Sequence, residues 1–187
     1  MCLVFVSGAV RSGKSSWAET YARTYADEHA CNLVYIATAN ADDLEMLRRV
    51  ELHKAARKGK GFETLEQHTD VGRLTTKLPL RNYSVLLECL GTLLANEMFG
   101  TGKAGTPNLA PQSFYVQKIF GDVLSLRAHF ACIVVVSNDI FSDGVTYDEP
   151  MERYRQALGA LHVELANAAD LVVECVAGQA IVHKAIK

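Results

Sequence analysis

Apolar residues in this chain fall into short, unbroken runs set far apart, with longer mixed stretches between them. The runs are Cys2–Val6, Leu33–Ala37, Val85–Leu90, Ala131–Val136, Leu171–Val176 and Ala180–His183. They are rich in β-branched residues and do not alternate with polar ones, which is the pattern of strands covered on both faces in a parallel sheet. The intervening stretches predict helices over Lys14–His29, Asp42–Lys58, Thr92–Phe99, Pro111–Phe130 and Glu149–Ala168. Strand followed by helix, repeated along the chain, predicts a doubly wound α/β sheet. Only Ala177-Gly178-Gln179 joins the last two runs, too short a link for a parallel crossover. Ala180–His183 is therefore expected as an antiparallel edge strand closing a hairpin. Two segments break the rhythm. Gly100–Pro111 is rich in Gly and Pro and reads as an exposed loop, and Phe141–Pro150 reads as a polar, acidic one.

The first run leads directly into Gly8-Ala9-Val10-Arg11-Ser12-Gly13-Lys14-Ser15, a complete GxxxxGK[ST] motif that opens the first predicted helix. Strand, glycine-rich loop and helix are the parts a triphosphate site needs. Glycines let the backbone close around phosphates with successive N–H groups turned inward, and the helix N-terminus adds partial positive charge. In such a loop Lys14 reaches the β- and γ-phosphates and the Ser15 hydroxyl ligates Mg²⁺. The expected fold class is thus α/β, a P-loop NTPase (RecA-like) with a doubly wound, mostly parallel sheet and an antiparallel C-terminal edge strand.

Ligands of open α/β sheets bind beyond the carboxyl ends of the strands. Glu88 follows Val85-Leu86-Leu87 there, like the acid of a Walker B strand, and is a candidate for holding Mg²⁺ through water or for contacting nucleotide. Asp139, after Val134–Asn138, is the other carboxylate so placed. Either acid could instead cap a strand or helix.

Composition narrows the picture a little. At 187 residues the expectation is one domain spanning 1–187, large enough for a substantial core. Nineteen basic against 21 acidic residues leave a net charge of −2, no general reason to expect nucleic acid or a membrane surface as partner. No apolar run approaches the ~18 residues of a membrane span, and the N-terminus lacks a basic n-region, so a cytoplasmic location is expected. The five cysteines are scattered without CxxC spacing and read as reduced thiols, most of them in or beside apolar runs.

Of the six histidines, His53 stands out. Arg49, His53 and Arg57 recur at i, i+4, i+8 and share one face of the second predicted helix. Cations on either side disfavour protonation of the imidazole and leave it free as a nucleophile toward a phosphate that the same cations hold. A solvated basic helix face would show the same spacing. His29, His68, His129, His162 and His183 are not in metal-ligand spacing.

A P-loop by itself does not name a reaction. No Asn-Lys-x-Asp guanine-reading motif is present; Ser137-Asn138-Asp139 comes nearest and does not match. The size suits a small-molecule kinase or a nucleotidyltransferase. A P-loop kinase of other specificity, and a nucleotide-binding regulatory module without catalysis, keep the same loop.

Nearly end to end, the chain resembles the adenosylcobinamide kinase/adenosylcobinamide-phosphate guanylyltransferase family of cobalamin biosynthesis. The resemblance runs through Gly8–Ser15 with Arg11, Tyr35-Ile36-Ala37-Thr38-Ala39, Asp43-Leu44-Glu45-Met46, Arg49-Val50-x-x-His53-x-x-x-Arg57, Phe62–Glu66 as a short tail, Leu86-Leu87-Glu88-Cys89-Leu90 with Asn96, Val134–Asn138, and Arg153-Tyr154-Arg155 through Asp170. It implies two reactions: a nucleoside triphosphate, ATP or GTP, phosphorylates the aminopropanol hydroxyl of adenosylcobinamide, and GTP then guanylylates a histidine whose GMP passes to the substrate phosphate. By this resemblance His53 is the GMP-bearing nucleophile and Gly8–Ser15, with Lys14, bind triphosphate. It further implies that Ala37, Thr38, Ala39, Lys54, Ala55, Ala56, Arg57, Glu66 and Glu88 contact GTP, and that the protein is a homo-oligomer, a trimer. The C-terminal half departs from the family's pattern: Asp139 stands where Glu is usual, Gln156 where Asp is usual, and His162 where Asn is usual.

Overall fold

The computed structural model describes residues 1–39, 59–80, 82–100, 110–141 and 144–185. The chain runs β1 (Cys2–Gly8), α1 (Lys14–His29), β2 (Asn32–Ala37), β3 (Glu63–Glu66), a 3₁₀ turn (Val71–Thr76), β4 (Tyr83–Glu88), α2 (Leu90–Phe99), α3 (Gln112–His129), β5 (Cys132–Asn138), α4 (Glu149–Ala168), β6 (Leu171–Val176) and β7 (Gln179–Ala185). These strands form one sheet in the order β3-β2-β4-β5-β1-β6-β7. All neighbours are parallel except β6 and β7, so the expected edge hairpin is present. One strand, β5, lies between the P-loop strand β1 and β4, which ends in Glu88.

The unbroken apolar runs are explained by helices on both faces. Leu3 and Phe5 point into a core shared with α2, α3 and α4, while Val4 and Val6 point into the core beneath α1, where Ala18 and Ala22 allow close approach. Each fully buried aliphatic side chain in these layers contributes roughly 1.5–3 kcal/mol. The carboxylate of Asp170 fixes the start of β1 by accepting from Leu3 N at 2.8 Å and from Arg127 at 2.8 and 3.0 Å.

Two expectations need correction. The run Val85–Leu90 is not all strand: β4 stops at Glu88 and Leu90 already opens α2, whose first turn is capped by Cys89 Sγ accepting from Thr92 N. A continuous apolar run cannot by itself distinguish the end of a buried strand from the start of a buried helix. Phe62–Glu66, read as a tail, contains the edge strand β3, paired in parallel with β2 from Val34 to Ala37. The predicted helix Asp42–Lys58 lies outside the described residues, as does most of Gly100–Pro111.

Candidate functional site

The carboxyl ends of β1, β2, β4 and β5 meet at one edge of the sheet, and the P-loop rises from that edge. Gly8 is indispensable for steric reasons. A Cβ at this position would sit 2.5 Å from the carbonyl oxygen of Cys175 and 2.6 Å from Ser12 Oγ. At the other end of the loop Gly13 caps α1 with φ 93°, a left-handed conformation that favours glycine. Arg11 also lies in the left-handed region, at φ 62°, strain that the surrounding loop must hold in place. Gly13 offers no side-chain cap to the first turn of α1, and that turn contains no acidic residue. The N–H groups and dipole of that turn are therefore available to an anionic ligand.

Lys14 is buried to 7% exposure, and its Nζ donates to Ala9 O at 3.1 Å across the loop. The ammonium is thus curled over the loop, and a phosphate can take the carbonyl's place. Ser12 Oγ is buried within the loop without a hydrogen-bond partner among the described residues. The loop is braced from β6 and β7: Gly178, in the turn between them, donates its N–H to Ser12 O at 3.0 Å.

Ser15 Oγ donates to Glu88 Oε1, so the loop hydroxyl and the carboxylate that ends β4 are in direct contact although β5 separates their strands in the sheet. A hydroxyl and a carboxylate oxygen side by side suit a hard cation such as Mg²⁺, which takes few protein ligands and completes its shell with water and phosphate. Glu88 Oε2 accepts from Tyr35 OH at 3.1 Å. Thr38 is fully buried and joins the ends of β2 and β4, its Oγ1 accepting from Cys89 N at 2.7 Å and donating to Cys89 O at 2.9 Å. Thr38 O accepts from Asn96 Nδ2 at 2.8 Å, and the same amide reaches His68 O at 3.0 Å. Ala37 lies beside both Glu66 and Glu88 in the sheet register, so these residues share one corner of the site.

The structure thus brings Gly8–Ser15, Ala37, Thr38, Glu66 and Glu88 to one edge, with Ala39 following directly after Thr38. His53, Lys54, Ala55, Ala56 and Arg57 lie outside the described residues. Asp139 is engaged locally: its N–H donates to Gly8 O at 2.9 Å and its Oδ1 caps the following turn by accepting from Phe141 N at 3.0 Å. His162 is buried behind the site, its Nε2 2.7 Å from Ser137 Oγ and its ring edge-on to Phe5 and Phe141. Burial pushes its pKa down to about 4. Among the described residues no group of three or more His, Cys, Asp or Glu is arranged to hold a metal ion, and no helix is long and apolar enough to cross a membrane. Tyr35 and Gly178 join the site through the sheet and the hairpin turn rather than through a motif of their own. Tyr35 meets Glu88 only because β2 lies beside β4 in the sheet, an adjacency that no local run of residues announces.

The family described as "Cobinamide kinase / cobinamide phosphate guanyltransferase" matches residues 4–182. Among curated proteins, the chain is 30% identical over 182 residues to the bifunctional adenosylcobalamin biosynthesis protein CobU of Escherichia coli (strain K12), covering 94% of this chain and 96% of that protein. It is 29% identical, with the same coverage, to the protein of that name from Salmonella typhimurium. The bifunctional adenosylcobalamin biosynthesis protein CobP of Pseudomonas aeruginosa is 29% identical over 173 residues, covering 92% of each chain. Among solved structures, an ATPase domain superposes with a TM-score of 0.52 at 12% identity, covering 92% of this chain and 68% of that one, a likeness of fold alone.

Proposed function

Since the chain belongs to the cobinamide kinase / cobinamide phosphate guanyltransferase family, we propose that it carries out both of that family's reactions, with adenosylcobinamide and its phosphate as the corrinoid substrates. The observation that carries this reading is the contact between Ser15 on the P-loop and Glu88 at the end of β4, because it joins a triphosphate cradle to a carboxylate fit for a hard cation. When bound, Mg²⁺ neutralises charge on the phosphates.

In the kinase step the loop N–H groups hold the triphosphate and the Lys14 ammonium moves from Ala9 O to the β/γ-phosphates. The corrinoid hydroxyl attacks the γ-phosphorus, the bond to the β-bridging oxygen breaks, and the hydroxyl proton is released. Either ATP or GTP serves as donor. In the transferase step a neutral His53 ring nitrogen attacks the α-phosphorus of GTP, forming a P–N bond while pyrophosphate departs. A phosphate oxygen of the corrinoid then attacks that phosphorus, the P–N bond breaks, and the imidazole is restored. Splitting one displacement into two is the gain from covalent catalysis, and Lys54–Arg57, Ala37–Ala39 and Glu66 are assigned to the guanine nucleotide. We assign the protein to the cytoplasm and to a homo-oligomer, a trimer by resemblance; a monomer in light scattering with and without GTP would remove the latter.

Incubation with GTP labelled at either the α- or the γ-phosphate tests the pair of reactions. The γ-label should appear as corrinoid phosphate. The α-label should appear first on protein and then on corrinoid. Transfer of γ-label to corrinoid with no α-label on protein would leave a kinase only.

A further inference from the structure

On β2, Tyr35 is paired with Leu86 and Ala37 with Glu88, so Tyr35 and Glu88 project from the same face of the sheet, one step apart along the strands. Tyr35 is 5% exposed. Its ring packs among the buried residues beneath α1 and stands edge-on to Phe62, with centroids 6.1 Å apart and planes at 89°. A phenol so deeply placed needs a polar partner for its O–H, and it donates to Glu88 Oε2 at 3.1 Å. Glu88 Oε1 is the oxygen that meets Ser15 Oγ. One carboxylate is therefore divided between two elements, with the P-loop on one oxygen and β2 on the other. A glutamate at the end of a strand has three side-chain torsions to lose before it can present a given oxygen to a given point. A rigid donor behind the carboxylate removes much of that freedom in advance.

We propose that Tyr35 is a positioning residue: its phenol fixes the rotation of the Glu88 carboxylate so that Oε1 faces the P-loop hydroxyl, and thereby sets the affinity for a metal–triphosphate complex. The proposal rests on the assignment of Ser15 and Glu88 to that complex. Tyr35 acts through the Glu88 carboxylate, to which its O–H donates. Because the same carboxylate faces the P-loop and the corner formed by Ala37 and Glu66, Tyr35 should influence phosphoryl transfer and guanylylation alike.

The test is a binding measurement rather than an assay of turnover. A non-hydrolysable GTP analogue is titrated by calorimetry at a series of Mg²⁺ concentrations with wild type, Tyr35→Phe, Tyr35→Leu, Phe62→Leu and Glu88→Gln. Thermal unfolding is recorded beside each. Tyr35→Phe keeps the ring and removes only the O–H. It should raise the half-saturating Mg²⁺ concentration about ten-fold or more and leave the Mg²⁺-independent part of analogue binding near wild type. Tyr35→Leu also lacks a donor but packs differently, and it should show the same Mg²⁺ shift whatever it does to the melting temperature. Phe62→Leu disturbs the packing while keeping the phenol, and should lower the melting temperature without moving the Mg²⁺ midpoint. A shifted midpoint for Glu88→Gln with wild-type midpoints for both Tyr35 variants would overturn the positioning role. Wild-type midpoints in Glu88→Gln and in both Tyr35 variants would overturn the Glu88 assignment, and the proposal with it.

Discussion

Gly178 donates its backbone N–H to the carbonyl of Ser12 at 3.0 Å, and its Cα lies 3.4 Å from where a side chain on Gly13 would begin. The turn of the C-terminal hairpin thus buttresses the P-loop from the side away from Glu88. The floor of the loop is just as tight at Gly8, where a Cβ would collide with Cys175 O and Ser12 Oγ. Gly8→Ala should therefore force the loop off β6, lowering triphosphate affinity by more than about ten-fold and the unfolding free energy by about 1–3 kcal/mol. Nucleotide titration and chemical denaturation read the two effects. A variant with wild-type affinity would mean that the loop adapts freely, contrary to the packing described.

Lys14 serves the ligand more than the fold, since the bond from its Nζ to Ala9 O is worth about 1 kcal/mol. Lys14→Ala should remain folded, with a melting temperature within a few degrees of wild type, and lose triphosphate-dependent turnover by about two orders of magnitude or more. Steady-state kinetics beside thermal unfolding checks this. Wild-type kinetics would contradict the P-loop assignment.

His162 carries a pH dependence that its surroundings explain. Packed between Phe5 and Phe141 and bonded to Ser137 Oγ, it is held neutral by burial, with a smaller opposing pull from Asp139, so its pKa falls from 6.5 to about 4. Between those values the unfolded chain binds a proton that the folded chain refuses. Stability should then rise with pH across this window and be lost as pH falls from about 6.5 toward 4, by up to about 3 kcal/mol for this group. His162→Asn, which removes the titrating ring while keeping a polar side chain, should flatten that part of the profile in denaturant titrations from pH 4 to 7. An unchanged slope would show that other groups govern it.

Lys118 on α3 joins three carboxylates that otherwise repel one another: Asp70 at 2.8 Å, Glu97 in closer contact, and Asp122 at 3.8 Å. Its ammonium holds the Asp70 carboxyl below the ordinary range, whereas burial raises that of Asp122. Among the described residues, Lys118→Met removes the only cation of this group other than Arg73, which lies at the edge beside Asp70. It should cost about 2–4 kcal/mol near neutral pH, with part of the loss recovered in acid as the carboxyls protonate. Denaturation at two pH values is the measurement. A loss below about half a kcal/mol would place the cluster among ordinary surface charges.

Much of this arrangement was legible in the residues. Lys14–His29, Glu149–Ala168 and Leu171–Val176 have the bounds expected from periodicity, because each is flanked by an unambiguous cue: the P-loop glycine, an acidic cap at Asp148, a tight turn at Ala177-Gly178. Cys89–Leu90 was misread because packing on both sides makes a buried strand end and a buried helix start look alike in apolar content. Strand β3 escaped because an edge strand of four residues, two of them exposed glutamates, has no apolar run to announce it. The P-loop and Glu88 could be named from local motifs. The role of Tyr35 depends on strand order, which places β2 beside β4, and no local pattern encodes that adjacency.

Covalent guanylylation of His53 is tested most directly by intact-mass measurement with peptide mapping. Protein incubated with GTP and Mg²⁺ in the absence of corrinoid should gain the mass of one GMP on His53. The adduct should be labile in acid, where protonation of the ring nitrogen makes imidazole a good leaving group, and comparatively stable in base. It should be absent from His53→Ala and disappear from wild type on addition of the corrinoid phosphate. Active protein with no such increment, or with the increment on another residue, would contradict the guanylyl-transfer mechanism.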